Sequence, residues 1–382
     1  MHTPSNIAIF SLAYAPLVGG AELAAQEIVR RLPEREFTCF TNRFRGDWPV
    51  EGRSGNMTIV RVGRGNGGRI AKHLYIFRAW IAAERRHRAE PFDAMWGIMA
   101  AYGGFAALLF KLRHPSVPFL LTLQEGDSET HILRRVGIFY PLWRLVFRRA
   151  DRIQAISSYL ADFGRRHGAK CPIEVVPNGV DLEKIKNKKP KIKDKDGKEK
   201  IIITTSRLVY KNGIDILIRA FAELLGHASS VVSYKLLILG SGPLEAELKD
   251  LAKELHVEEN VSFLGHVSPE EIPRYLKGAD VFVRPSRSEG LGSSFLEAMA
   301  AGLPVIGTPV GGIPDFLKDQ ETGLYAAPDD PVDFAEKISL LFEDQALREK
   351  IVRNGRALVE RQYAWDHIAE QMNRLFTELC TS

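Results

Sequence analysis

The sequence predicts an α/β protein made of two doubly wound halves, and three observations carry that expectation. Short β-type runs alternate with helical patterns along the whole 382-residue chain, the pattern of parallel sheets covered by helices on both faces. The alternation falls into two series, separated by the lysine-rich stretch Lys184–Lys200, which has almost no apolar content. Hydrophobic residues make up 45% of the chain, enough to fill two domains of ordinary size.

In the first series the runs are Ile7–Leu12, Met57–Val62, Asp93–Ile98, Pro118–Leu123, Ile153–Ser157 and Ile173–Pro177. The first of them gives way at Gly19-Gly20 to a helix that starts at Ala21 and reaches Leu32. Paired glycines between a strand and a helix let a ligand approach the backbone, and the helix dipole favours an anion there; a tight turn is the competing reading. The spacing is not GxGxxG, so a nicotinamide dinucleotide is not indicated. The second series runs through Ile201–Thr205, Lys235–Gly240, Val261–Gly265, Asp280–Pro285, Pro304–Thr308 and Leu324–Ala326. Residues 181–200 read as a solvated linker or hinge loop. The segment Tyr363–Leu379 carries Trp365, Ile368, Met372, Leu375 and Phe376 near helical spacing, the pattern of an amphipathic helix. These boundaries predict a first domain over 1–180, with the helix 363–382 packing back on it, and a second over 201–362.

Residues 1–180 hold 25 Lys+Arg against 15 Asp+Glu, whereas residues 201–382 hold 18 against 27. A basic first half points to an anionic partner or surface; a clustered solubilising surface is the competing reading. The cysteines Cys39, Cys171 and Cys380 form no CxxC pair and no metal-ligand spacing, which favours a reducing compartment and no metal site. Residues 1–12 show no signal peptide, and no apolar stretch reaches the ~18 residues of a membrane span. The expected location is therefore cytoplasmic, either soluble or peripheral at the cytoplasmic membrane face. No nucleic-acid-binding motif accompanies the basic charge, so nucleic acid is not an expected partner.

The strand Ile201–Thr205 is followed by Ser206-Arg207 and, four residues on, Lys211. That places two cations at the carboxyl edge of the sheet, where open α/β sheets bind ligands, and the pair suits phosphate oxygens. Glu289 and Glu297 bracket Gly290-Leu291-Gly292-Ser293-Ser294-Phe295-Leu296 just after the strand Asp280–Pro285. This stretch offers backbone N–H groups, a helix start and two acids to one small volume, which suits a phosphorylated, hydroxyl-rich ligand. The spacing Ser294 to Glu297 also fits a capping box, a structural duty for Glu297. No comparable local duty is evident for Glu289.

Together these residues resemble the family-4 retaining glycosyltransferases of the GT-B fold. The resemblance includes Gly19-Gly20-Ala21-Glu22, Pro177-Asn178-Gly179-Val180-Asp181, Ser206-Arg207 with Lys211, Gly240-Ser241-Gly242-Pro243, Phe263-Leu264-Gly265, the Glu-x7-Glu segment and Thr322-Gly323-Leu324. It implies two Rossmann-like domains facing across a deep cleft, open without ligand and closed around it, with a C-terminal helix crossing back to the first. It implies a metal-independent enzyme, needing no cofactor, that moves a hexosyl group with retention from a nucleotide-diphosphate sugar to a glycan or lipid-linked acceptor. In that frame Arg207 and Lys211 neutralise the departing diphosphate and Glu289 binds donor-sugar hydroxyls. The Gly290, Leu291, Gly292, Ser293 and Ser294 backbone approaches sugar and phosphates, and Glu297 binds the ribose. Gly19 and Gly20 face the diphosphate, and Gly265, His266 and Val267 flank the base. A nucleotide-sugar epimerase of the same architecture, or a non-catalytic nucleotide-sugar binder, are the alternatives.

One departure concerns Gln124, which stands where many relatives carry a histidine. Glutamine hydrogen-bonds a hydroxyl but exchanges no proton near neutral pH. Gln124, Glu125 and Asp127 are the candidate acceptor-binding residues; Glu125 and Asp127 also fit a capping duty toward the following segment. The stretch His131–Arg149, with Ile70–Arg88, mixes aromatic residues and arginines in a manner suited to anionic lipid; core packing competes with that reading.

Overall fold

The computed structural model describes residues 5–17, 19–65, 67–190, 199–227 and 233–381. They form two compact units, one made of Met1–Asn178 with Trp365–Ser382 and the other of Gly179–Ala364. Each is an open, largely parallel sheet covered by helices, as the alternating pattern predicts.

In the first unit the strands are β1 (Asn6–Phe10), β2 (Glu36–Asn42), β3 (Glu51–Ser54), β4 (Met57–Val62), β5 (Ala94–Ile98), β6 (Phe119–Leu123), β7 (Arg152–Ala155) and β8 (Ile173–Val175), in the order β3-β4-β2-β1-β5-β6-β7-β8. All neighbours are parallel except β3 with β4. Every residue of β1, β5 and β6 is buried, which is why these strands are near-continuous apolar runs: both faces lie under helices. The helix Arg69–Ala89 faces the sheet with Ala71, Tyr75, Ala79 and Ala83, a four-residue period that keeps three alanines and one tyrosine on one face. Among them Tyr75 donates its hydroxyl to the Phe40 carbonyl at 3.0 Å.

The helix Trp365–Thr381 belongs to this first unit. It buries Trp365, Ile368, Met372, Leu375, Phe376 and Leu379 in a core shared with Ile28, Phe37 and Trp96. Phe376 stands edge-on to Trp96 at 5.2 Å between centroids. Arg35 fixes the helix laterally, donating from Nε to Asn373 Oδ1 at 2.7 Å and from Nη2 to Thr377 Oγ1 at 2.6 Å.

In the second unit the strands are β9 (Glu199–Thr205), β10 (Ser233–Leu239), β11 (Val261–Gly265), β12 (Val281–Arg284), β13 (Val305–Gly307) and β14 (Leu324–Tyr325), ordered β11-β10-β9-β12-β13-β14 and parallel throughout. The chain lays β9 first, builds outward through β10 and β11, then returns to the other side of β9 with β12. The order therefore reverses between β9 and β12, which opens a crevice beyond their carboxyl ends. The expectation of a structureless linker over 181–200 needs correction at its two ends. Leu182–Lys186 is a helical turn capped by Asp181, whose Oδ1 accepts from the Lys184 N–H at 3.0 Å, and β9 begins at Glu199. Residues 191–198 of that stretch lie outside the described residues.

Candidate active site

At the reversal point of the second unit, two loops meet. The loop after β9 carries Ser206-Arg207 and closes in a short 3-10 turn, Tyr210–Asn212, followed by Gly213. Gly213 has φ +67°, and a Cβ there would fall 1.8 Å from the Pro285 carbonyl oxygen, so only glycine lets this loop lie against the loop after β12. Asn212 donates from Nδ2 to the Arg207 carbonyl at 2.7 Å, fixing the backbone from which the Arg207 side chain leaves. That side chain is exposed, and the described residues offer its guanidinium no ion pair; Lys211 is half-buried beside it. Two cations thus stand at the mouth of the crevice with the positive end of a helix nearby, a place where an anion is favoured.

The loop after β12 runs through Ser286, Glu289 and Gly292 into the helix Ser293–Ala301. On its far side Gly311, at φ +56°, packs so closely that a Cβ would lie 1.8 Å from the Glu289 carbonyl oxygen, and Gly312 donates to that oxygen at 3.1 Å. Glu289 is consequently clamped at its backbone. Its side chain has local partners that the sequence did not reveal. It is ion-paired with Arg284, and Oε1 accepts from the Gly290 N–H at 3.1 Å. Arg284, only 7% exposed, also donates to Ser286 Oγ at 3.1 Å and Ser294 Oγ at 2.5 Å. Burial, with nearby Arg207 adding to it and Glu297 opposing it, pushes the Arg284 pKa down to about 10; it remains cationic at neutral pH.

The capping-box reading of Glu297 is overturned. The helix starts at Ser293 with Gly292 as its cap and no side-chain cap bond, which makes Phe295 the third helical residue and puts Glu297 two residues too deep for that duty. Ser294 Oγ instead accepts from Arg284. Burial pushes the Glu297 carboxyl up to about 7, against the pull of Arg284 and Lys184. Leu291 is buried, while Gly292, Ser293 and Ser294 open the helix without a side-chain cap bond. Gly265 ends β11 on the outer edge of the sheet, with His266 exposed and Val267 half-buried just beyond it; the Gly240 N–H donates to the Gly265 carbonyl at 2.7 Å.

In the first unit, Gly19 and Gly20 are exposed at the start of the helix Gly20–Arg30. The Gly19 N–H already has an acceptor, Glu22 Oε2 at 2.8 Å. Gln124 donates from Nε2 to Asn178 Oδ1 at 3.2 Å. Glu125 is 7% exposed, and its Oε1 accepts from the Ala100 N–H at 2.7 Å, pinning the turn after β5 where Met99 adopts φ +66°. Burial raises its pKa, with backbone donors including Ala100 opposing the rise. The capping alternative fails for Glu125 and Asp127: Ser128 caps the helix Glu129–Val136, and Asp127 lies 3.7 Å from Arg135.

Comparison with known proteins follows these units. The profile of glycosyl transferases group 1 matches residues 185–358, and that of glycosyltransferase family 4 matches residues 18–184. Two uncharacterized glycosyltransferases of Methanocaldococcus jannaschii are similar: MJ1178 at 25% identity over 96% of both chains, and MJ1607 at 39% over 45% of this chain and 43% of its own. A GDP-mannose-dependent monoacylated alpha-(1-6)-phosphatidylinositol monomannoside mannosyltransferase of Corynebacterium glutamicum is 32% identical over 61% of this chain. The match spans 63% of that enzyme, under two thirds of its length. Among solved structures, sucrose-phosphate synthase from Thermosynechococcus elongatus superposes with a TM-score of 0.82 at 22% identity, covering 98% of this chain and 99% of its own.

Proposed function

The chain belongs to the group 1, family 4 glycosyltransferases, which transfer a sugar from a nucleotide sugar, and we propose that the crevice between β9 and β12 is where it holds that donor. The observation that carries the proposal is the exposed Arg207 at the reversal point, without an ion pair among the described residues, next to the loop that carries Glu289 and leads into the helix that carries Glu297. Strand spacing sets the reading of the rest. Neighbouring strands lie about 4.8 Å apart, so the end of β11 stands roughly 14 Å from that of β12, with β10 and β9 between them. An extended nucleotide sugar then lies along the sheet edge with its base at Gly265, His266 and Val267, its diphosphate at Arg207 and Lys211, and its sugar at Glu289. Glu297 takes the ribose hydroxyls, and the N–H groups of Gly292, Ser293 and Ser294 take phosphate oxygens.

The chemistry proposed is transfer of a hexosyl group with retention. The bond between the anomeric carbon and the diphosphate breaks, and the charge that develops on the leaving oxygen falls to Arg207 and Lys211. The acceptor hydroxyl bonds to the anomeric carbon on the same face, and its proton leaves with the diphosphate. A panel of UDP-glucose, GDP-mannose and UDP-N-acetylglucosamine, assayed for nucleotide release, identifies the donor. Arg207→Ala is expected to cut turnover by about 10² to 10³; near-wild-type turnover removes the assignment. Interconversion of the donor sugar without nucleotide release identifies an epimerase instead.

For the acceptor, we propose a glycan or lipid-linked saccharide, bound through Gln124 and Asp127 of the first unit with Glu125 pinning the adjacent turn, and met at an anionic membrane. The support is the helix Arg69–Ala89. Besides its buried stripe it turns Ile70, Leu74, Phe77 and Ile81 to solvent, with Ile70 76% and Phe77 54% exposed. Arg69, Lys72, Arg85 and Arg88 share that helix, and Ile138 and Phe139 are exposed near Arg134 and Arg135. No helix among the described residues is long and apolar enough to cross a membrane. Failure to sediment with anionic liposomes at low salt would sink the membrane reading.

A further inference from the structure

Arg287 lies two residues before Glu289, yet its hydrogen bonds go to other partners, among them the loop that carries Lys211. Its backbone N–H donates to the Lys211 carbonyl at 2.7 Å, and its Nη1 donates to the Tyr210 carbonyl at 2.8 Å. The guanidinium grips Asp215 in a fork, Nη1 to Oδ1 at 2.9 Å and Nη2 to Oδ2 at 2.7 Å, and Nε donates to Asp329 Oδ1 at 2.6 Å. It also lies over the Tyr210 ring, 4.2 Å from the centroid. Arginine has five N–H donors in a rigid plane. Nε, Nη1 and Nη2 are all committed to protein partners, and the side chain is only 13% exposed, so Arg287 is poorly placed to take a substrate phosphate itself.

Its partners come from three separate places: the turn Tyr210–Asn212, the start of the helix Ile214–His227, and the loop before the helix Pro331–Glu343. Asp329 holds its end of the bridge from a left-handed backbone at φ +59°. Close approach of Gly213 to the Pro285 carbonyl presses the same two loops together. A lysine could reach one of these partners but could not bridge them, because its charge is a single point rather than a planar fork.

We propose that Arg287 is a positioning residue for Lys211, locking the peptide units of Tyr210 and Lys211 against the loop that carries Glu289. The spacing between the cation for the diphosphate and the carboxylate for the sugar is thereby set by one side chain that contacts neither ligand group. This rests on the assignment of Lys211 to the donor diphosphate.

The test is a double-mutant cycle of Lys211→Ala and Arg287→Ala, read as kcat and KM with whichever panel donor turns over, and as calorimetric binding of UDP and of GDP. Arg287→Ala is expected to lower kcat by about 10- to 100-fold, the scale of a displaced catalytic group. The double variant is expected to be no worse than Lys211→Ala alone, because a residue acting through another has nothing left to lose. Arg287→Lys should not restore the rate. Multiplied losses in the double variant, or a wild-type kcat in Arg287→Ala, overturn the inference. Wild-type turnover and UDP or GDP binding in Lys211→Ala instead overturn the assignment on which it rests. Should Arg287→Ala fold poorly, Asp215→Asn and Asp329→Asn each remove one anchor. A lowered Tm with unchanged kcat in both assigns the bridge to stability alone and also overturns the inference.

Discussion

Glu289 and Glu297 sit eight residues apart in sequence but in opposite circumstances. Glu289 is held by Arg284 and by the Gly290 N–H, so its carboxyl group is aimed by local partners. Glu297 has no hydrogen bond or ion pair among the described residues, and burial lifts its pKa from the ordinary 4.5 to about 7. The folded protein therefore keeps a proton there that the unfolded chain gives up above pH 4.5. The stability tied to that proton is complete below this pH and is lost as pH rises through about 7. Glu297→Gln stays neutral at every pH. It is expected to be more stable than wild type at pH 8, by up to about 3 kcal/mol, with the gap closing toward pH 4. Thermal unfolding at both ends checks this, and a gap independent of pH contradicts it. The sequence showed both acids and their loop but misassigned which one has a structural tie. Arg284 closes an apolar strand and its tie to Glu289 is made only in the folded loop, and the partners of Arg287, Asp215 and Asp329, are 72 and 42 residues away.

Elements differ in how openly the sequence declares them. The strands β1, β5, β6, β9, β10 and β12 are legible because parallel strands buried on both faces must be apolar nearly throughout. β2 reads Glu-Phe-Thr-Cys-Phe-Thr-Asn, and its buried threonines and asparagine break the apolar run. β3 reads Glu-Gly-Arg-Ser, an antiparallel edge strand largely exposed, with nothing to bury and so no pattern to find. The helix Arg69–Ala89 is the opposite case: it is apolar on two faces, so its periodicity cancels, and only the structure separates the stripe of Ala71 and Tyr75 from that of Ile70 and Phe77. The outer stripe is the part expected to enter lipid. Phe77→Glu should lower sedimentation with anionic liposomes severalfold without changing nucleotide release from a soluble donor, whereas raised salt should weaken binding through the flanking arginines. Unchanged sedimentation of the variant places the membrane contact elsewhere.

The whole molecule divides its labour along the charge asymmetry of its sequence. The acidic second half contains the unit in which Arg207, Lys211 and Arg284 concentrate positive charge at one sheet edge, and the basic first half contains the unit with the exposed apolar stripe. The helix Trp365–Thr381 covers the core of the first unit with Trp365, Ile368, Met372, Leu375, Phe376 and Leu379. Burying each such side chain is worth roughly 1.5–3 kcal/mol, so together they rival the ~5–15 kcal/mol net stability of a whole domain. Removal of residues 365–382 is expected to leave the first unit unable to fold, read as insolubility or strong ANS binding. A soluble protein with wild-type Tm contradicts the assignment.

That helix also sets the order in which the protein can mature. The chain leaves the first unit at Asn178 and re-enters it at Trp365. On the ribosome, where domains usually fold in the order they emerge, the second unit has all its strands before the first has its last helix. The half made first is therefore finished last, and until Trp365 onward has emerged it presents Ile28, Phe37 and Trp96 to whatever chaperone is at hand.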